Sequence, residues 1–223
     1  MTEQTMKNTG HLQTVIADWA EEKQTFHVPW GKVMMWIFLV SDTFIFTSFL
    51  IGYMNVRLTT TEPWPFPSEV FALTLFGQNV PLILIAIMTF ILITSSGTMA
   101  LAVRYAHFRD KKKIAMFMLF TALFGATFVG MQAFEWSKLI AEGVRPWGNP
   151  WGAPQFGSSF FMITGFHGLH VSIGVIYLST VALKVLKGDY DRKNNYEIIE
   201  IAGLYWHFVD LVWVFIFAFF YLW

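Results

Sequence analysis

Six ionisable residues interrupt long apolar stretches of this sequence, and they are the natural candidates for chemistry. They are Asp42, Glu135, His167, His170, His207 and Asp210. A charge at the centre of a bilayer costs about 2.5–3.5 kcal/mol on insertion scales, so each of these residues needs a physical reason. His167 and His170 are three positions apart, as are His207 and Asp210, and side chains at that spacing share a helix face. Each pair can therefore point into a helix bundle, where a carboxylate accepts from an imidazole N–H.

Three kinds of site fit these residue types. Three imidazoles with one carboxylate are a plausible ligand set for a metal ion. One histidine from each of two helices can hold a b-type haem. A hydrogen-bonded network that locks the helices together is the third possibility, and spacing alone favours it over a haem, a metal ion or a proton relay. No phosphate-binding loop, H-E-x-x-H motif or nucleophile elbow occurs, and cysteine is absent, so we predict no catalytic residue.

The elements that position these residues are predicted to be five transmembrane helices. The chain has 223 residues, of which 55% are hydrophobic and 13% charged, with a mean hydropathy of +0.50. Crossing a bilayer takes about 20 apolar residues in a helix. Five stretches qualify, at about residues 33–55, 80–103, 114–134, 158–183 and 198–223. In the second stretch Pro81 is expected in the first helical turn, where its missing N–H costs little.

The predicted fold class is thus an all-α integral membrane protein. Residues 1–30 form a polar N-terminal cytoplasmic segment and residues 31–223 the transmembrane domain. At about 1.5 Å per residue, the histidines and the two aspartates reach mid-membrane, whereas Glu135 is expected near the outer interface beside Trp136. Small residues within the helices, such as Ser95, Gly125 and Gly174, are predicted to allow close helix packing.

The basic residues predict an orientation. With the N-terminus inside, twelve Lys and Arg fall on inner segments and three on outer segments. Because cytoplasmic loops carry an excess of positive charge, this split predicts the N-terminus inside and the C-terminus outside. The formal net charge of +0 argues against nucleic acid as a partner.

Four segments of the sequence carry a family resemblance, namely GSSFFMITGFHGLHV at 157–171, YWHFVDLVWVF at 205–215, MQAFEW at 131–136 and WIFLVSDTFIF at 36–46. Together they resemble subunit III of the haem-copper terminal oxidases. The resemblance covers about residues 31–223. Many members have seven helices, and this chain resembles the shorter five-helix form.

The resemblance implies an accessory subunit of a respiratory oxygen reductase of cytochrome c oxidase type, in aerobic electron transport coupled to proton translocation. Haem and copper are then expected in the partner catalytic subunit I, with no cofactor or metal ligand in this chain. Phospholipid is expected in a cleft between helix bundles, and the location is the inner membrane of a bacterium. The six buried polar residues are expected to have structural, lipid-related or proton-related roles.

Alternatives remain at this point. Asp42 resembles quinol-oxidase versions, whereas the segments 166–170 and 205–210 resemble the cytochrome c branch. A quinol oxidase or a nitric-oxide-reductase-linked subunit III is therefore the alternative within the superfamily. Outside it, the imidazoles on helices four and five allow a stand-alone b-type cytochrome, and the intramembrane carboxylates allow a transporter or a scaffold.

Overall fold

Five long helices dominate the computed structural model, which describes residues 29–75, 78–190 and 196–222. Each is long and apolar enough to cross a membrane, which confirms the five predicted helices. The N-terminal segment predicted at 1–30 lies almost entirely outside the described residues. The helices are α1 (Trp30–Thr59), α2 (Ile83–His107), α3 (Lys111–Ala141), α4 (Gln155–Lys187) and α5 (Glu197–Phe217).

Several helices extend beyond the predicted apolar stretches, and two of their ends have recognisable caps. Before α3, Asp110 Oδ1 accepts from the backbone N–H of Lys113 over 3.3 Å. This bond satisfies a free donor of the first turn and holds the pKa of Asp110 below its usual range. α4 ends at Gly188, whose φ of 78° lies in the left-handed region that glycine adopts without strain.

The predicted start of the second helix, at about residue 80, is wrong. Strands β1 (Ala72–Leu75) and β2 (Gln78–Pro81) form an antiparallel hairpin after a one-turn helix, Pro67–Val70, and α2 begins only at Ile83. Pro81 is thus the last residue of β2, opposite Ala72 at the end of the ladder, where proline is tolerated. A short apolar run does not by itself distinguish strand from helix.

α2, α3 and α4 pack in sequence, and α5 returns to pack against α2 and α4. α1 lies at the edge and packs against α5 and α4. The ring of Trp206 on α5 fills the centre, where a Cβ on Gly174 would lie 2.9 Å from its Cζ3 and one on Gly125 3.0 Å from its Cζ2. The predicted role of these two glycines in close packing is therefore confirmed, whereas a Cβ on Gly130 would meet nothing within 4 Å.

Polar side chains join α2 to its neighbours inside the apolar core. The indole N–H of Trp206 donates to Ser95 Oγ over 2.9 Å, and that of Trp213 donates to Thr89 Oγ1 over 3.0 Å. The hydroxyls of Thr98 and Thr121 lie 2.8 Å apart and link α2 to α3. Without water in the surrounding lipid, such groups must find partners within the protein.

Candidate functional site

Asp42 on α1 faces His170 on α4, and both side chains are buried. His170 Nδ1 lies 2.8 Å from the carbonyl oxygen of Phe166. Because a carbonyl only accepts, Nδ1 carries a proton, and Nε2 faces Asp42 Oδ2 over 3.4 Å. This separation suits an ion pair when Nε2 also carries a proton, and it is long for a hydrogen bond. The contact ties the edge helix α1 to the rest of the bundle.

Aromatic groups fix His170 in this position. The ring centroid of Phe166 lies 4.7 Å from that of His170, and the Phe46 ring packs edge-on at 5.5 Å. The hydroxyl of Tyr205 donates to the backbone carbonyl of His170 over 2.9 Å. Asp42 and His170 are therefore in contact with each other and surrounded by aromatic side chains of α1, α4 and α5.

His167 lies one helical turn away and is enclosed by rings. Trp213 stacks on its imidazole at a centroid distance of 5.3 Å, and Phe128 packs edge-on at 5.8 Å. Neither ring nitrogen has a hydrogen-bond partner among the described residues. The stacked indole covers one face of the imidazole, and the Phe128 ring packs edge-on against it.

Glu135 is buried inside the bundle, with 3% of its surface exposed. Its Oε2 accepts from Gln132 Nε2 over 2.9 Å and from the hydroxyl of Tyr221 over 3.1 Å. Tyr221 belongs to a π-helical turn, Ala218–Leu222, that continues α5. The end of α5 therefore closes over Glu135.

His207 and Asp210 do not pair as their spacing suggests. Asp210 Oδ2 accepts instead from Ser96 Oγ on α2 over 2.6 Å. His207 is exposed and lines a groove between α1 and α5. The face of α5 that carries both residues borders two helices, so Asp210 contacts α2 while His207 lies beside α1.

The proposed metal-ligand set does not assemble. Throughout the part of the chain that the structure describes, no three His, Asp or Glu side chains lie close enough to hold a metal ion. His170 faces Asp42, whereas His207 lines the groove between α1 and α5. The geometry matches the third kind of site, a set of contacts that joins helices.

A match to a known family covers nearly the whole chain. The family model described as cytochrome c oxidase subunit III matches residues 14–223. The chain belongs to this family. It is thus a subunit III of a haem-copper oxidase, as the four sequence segments indicate.

Similar proteins of this subunit III family carry a more specific name. A protein of Staphylococcus aureus (strain USA300) named "Probable quinol oxidase subunit 3" is 34% identical over 190 residues, covering 84% of this chain and 86% of its own length. A protein of Staphylococcus saprophyticus with the same name is 32% identical over 189 residues, with the same coverage.

Sequence reasoning missed several partners in the polar contacts of this subunit III. Gln132 precedes Glu135 by three positions, so helical spacing could have linked the two. Ser96 lies within a run of small residues, and no sequence pattern indicates Asp210 as its partner. Tyr221 gave no periodic signal, because the π-helical turn shifts the phase of the side chains at the end of α5.

Proposed function

We propose that this chain is the accessory subunit III of a quinol-oxidising haem-copper oxygen reductase, in aerobic electron transport coupled to proton translocation. The choice of quinol as the electron donor rests on the names of the similar proteins, which align with 84% of this chain. Asp42, which resembles the quinol-oxidase versions, supports the same donor.

Cytochrome c is the second candidate donor. The description of the matching family and the segments 166–170 and 205–210, which resemble the cytochrome c branch, favour it. The assay that separates the two uses the complex purified through a tagged subunit III. Oxygen consumption with a reduced quinol and none with reduced cytochrome c is the expected result. The opposite pattern assigns the complex to the cytochrome c type.

The proposed role of the chain is to hold helices and neighbouring subunits in place, with haem and copper in the partner catalytic subunit I. The contacts that support it run between helices, from Asp42 to His170, from Ser96 to Asp210 and from Tyr221 to Glu135. Removing subunit III from the purified complex should leave the haem content per catalytic subunit unchanged. A loss of haem that accompanies this chain would contradict the proposal.

The groove between α1 and α5 is the proposed phospholipid site. It has a volume of about 720 Å³ and is lined mainly by apolar side chains, such as Leu39, Phe46, Leu50, Leu211, Phe215 and Phe219. Acyl chains fit such a surface because it offers contact without hydrogen bonds. Leu211→Trp should reduce the phospholipid retained by the purified complex. Leu169→Trp is the matched control, since Leu169 is 54% and Leu211 55% exposed and Leu169 lies outside the groove.

The proposed location of the chain is the cytoplasmic membrane of a bacterium, with its N-terminus inside and its C-terminus outside. The twelve-to-three division of basic residues supports this orientation. Glu135 and Tyr221 then lie in the outer half of the bundle, and the ion pair of Lys32 with Glu200 lies at the inner face.

A further inference from the structure

A group of buried polar atoms on the facing helices α3 and α4 has no hydrogen-bond partner among the described residues. The group, called here the α3–α4 polar cluster, consists of Gln132 Oε1, Glu135 Oε1 and both ring nitrogens of His167. Gln132, Glu135 and His167 are exposed by 5%, 3% and 1%. Buried polar groups in folded proteins are almost always hydrogen-bonded, so these four atoms call for a ligand.

Contacts between the two helices place the members of the cluster at the same height. A Cβ on Gly125 would lie 2.8 Å from Val175, and one on Gly165 would lie 3.1 Å from Trp136. The two helices are therefore antiparallel, with position 125 of α3 beside position 175 of α4 and position 136 of α3 beside position 165 of α4. At a common rise per residue, His167 lies level with the α3 turn that carries the other polar atoms.

Aromatic side chains enclose the cluster on the side of α5. Tyr221 donates to Oε2 of Glu135, and its ring centroid lies 6.2 Å from that of Trp213. Trp213 in turn stacks on His167 and packs against Phe128 at 4.6 Å. Glu135 and His167 therefore border the same aromatic wall, which separates them from lipid.

The hydrogen-bonding capacity of the cluster identifies the ligand. The oxygens of Gln132 and Glu135 and one nitrogen of a neutral His167 are three acceptors, and the other nitrogen of His167 is a donor. A cation would face this N–H group unfavourably, and an anion would face the oxygens unfavourably. Water both donates and accepts, and buried waters typically make about three hydrogen bonds each.

Two water molecules that are bonded to each other match this set. After their mutual bond, the pair still offers three O–H donors and three lone-pair acceptors. If Glu135 is protonated, the cluster has two acceptors and two donors, which the same pair also satisfies. We propose that the α3–α4 polar cluster binds a pair of water molecules that connects the carboxyl of Glu135 to the imidazole of His167.

The water pair would extend a polar path through the apolar bundle. It joins Glu135, next to the end of α5, to His167, which is three residues from His170 and hence from the contact with Asp42. The cluster lies in the interior of this chain, so the identity of the electron donor, quinol or cytochrome c, does not affect it.

Electron cryomicroscopy of the intact purified complex tests the proposal directly. At a resolution that shows ordered water, we expect two density peaks within hydrogen-bonding distance of each other, one near Glu135 and one near His167. In the complex with His167→Phe, the peak beside residue 167 should disappear. An unoccupied cluster in the wild-type map, or a single ion with metal-coordination distances, would overturn the proposal.

Hydroxyl-radical footprinting by X-ray radiolysis gives a second test that needs no variant. Radicals formed from bound water oxidise the side chains beside it. Tyr221 and Trp206 are each only 1% exposed, but Tyr221 adjoins the cluster, whereas Trp206 N–H is already bonded to Ser95. We expect oxidation of Tyr221 to be several-fold faster than that of Trp206. Equal protection of the two residues would contradict a hydrated cluster.

Discussion

The hydroxyl of Tyr221 and the carboxyl of Glu135 are 86 positions apart in the sequence and 3.1 Å apart in the structure. Their hydrogen bond crosses from the π-helical end of α5 to α3. Inside a lipid-surrounded bundle each group would otherwise need a partner that lipid does not supply. The last turn of the chain is therefore part of the core that holds α3 and α5 together.

Tyr221→Phe is expected to destabilise this junction by about 1–3 kcal/mol, the usual cost of leaving a buried polar group without a partner. The measurement is the temperature at which subunit III dissociates from the detergent-solubilised complex, which should fall. Tyr105→Phe is the control, because Tyr105 stacks on Phe117 at 5.4 Å and its hydroxyl makes no hydrogen bond within the described chain. Equal effects of the two substitutions would show that the Tyr221 hydroxyl contributes nothing specific.

Gly125→Ala should disturb the centre of the bundle. A Cβ at this position would lie 2.8 Å from Val175 Cγ2 and 3.0 Å from Trp206 Cζ2, so the rings and helices must move apart. Overpacking of this kind costs about 1–3 kcal/mol. Gly130→Ala on the same helix is the control, because its Cβ would meet nothing within 4 Å and alanine favours the helix. The yield of assembled complex should fall only for Gly125→Ala, and a fall for both would point to a cause other than packing.

The bond between Ser96 and Asp210 can be measured with a double-mutant cycle. Ser96→Ala and Asp210→Ala each remove one partner of the 2.6 Å contact, so the second change should cost little once the first is made. Contacting residues show coupling energies of about 0.5–3 kcal/mol. Ser172→Ala is a suitable control, since the Ser172 hydroxyl bonds only the carbonyl of Gly168 within its own helix. Additive effects of the two changes on subunit retention would mean that the contact is not energetically significant.

The five helices were predictable because each must supply about 20 apolar residues, a requirement that acts along the sequence. The burial of Asp42, Glu135, His167 and His170 followed from the cost of placing such groups in lipid. Partners were harder to predict, because they depend on how each helix is rotated and which helices are neighbours. The Ser96–Asp210 bond spans 114 positions and leaves no local trace in the sequence.

Two further features show the same limit. The hairpin of β1 and β2 lies where the hydropathy of residues 80–103 suggested a helix, since strands and helices can be equally apolar. His207 and Asp210 share a helix face by spacing, yet His207 lines the groove beside α1 while Asp210 bonds a residue of α2. Helical spacing shows which face of a helix carries a side chain but not which neighbouring helix it contacts. Here the same face of α5 borders both α1 and α2.

Asp42→Asn should preserve assembly. Because His170 Nδ1 donates to Phe166, its Nε2 can accept from the amide that replaces the carboxyl, so the link between α1 and α4 remains. Asp42→Leu removes the link and should lower the amount of subunit III in the complex. Oxygen consumption per assembled complex is the second measurement. Normal assembly with reduced turnover in Asp42→Asn would assign the carboxyl a role in proton transfer in addition to its structural one.

The orientation can be tested with single cysteines, because the chain has none of its own. Glu62 follows α1, Lys112 lies in the first turn of α3, and both are exposed. With the N-terminus inside, a membrane-impermeant maleimide added to intact spheroplasts should label Glu62→Cys, and should label Lys112→Cys only after permeabilisation. The reverse pattern would contradict the orientation that the basic residues predict. Since α3 runs from Lys112 toward Glu135, the same result also decides which membrane face lies nearer the α3–α4 polar cluster.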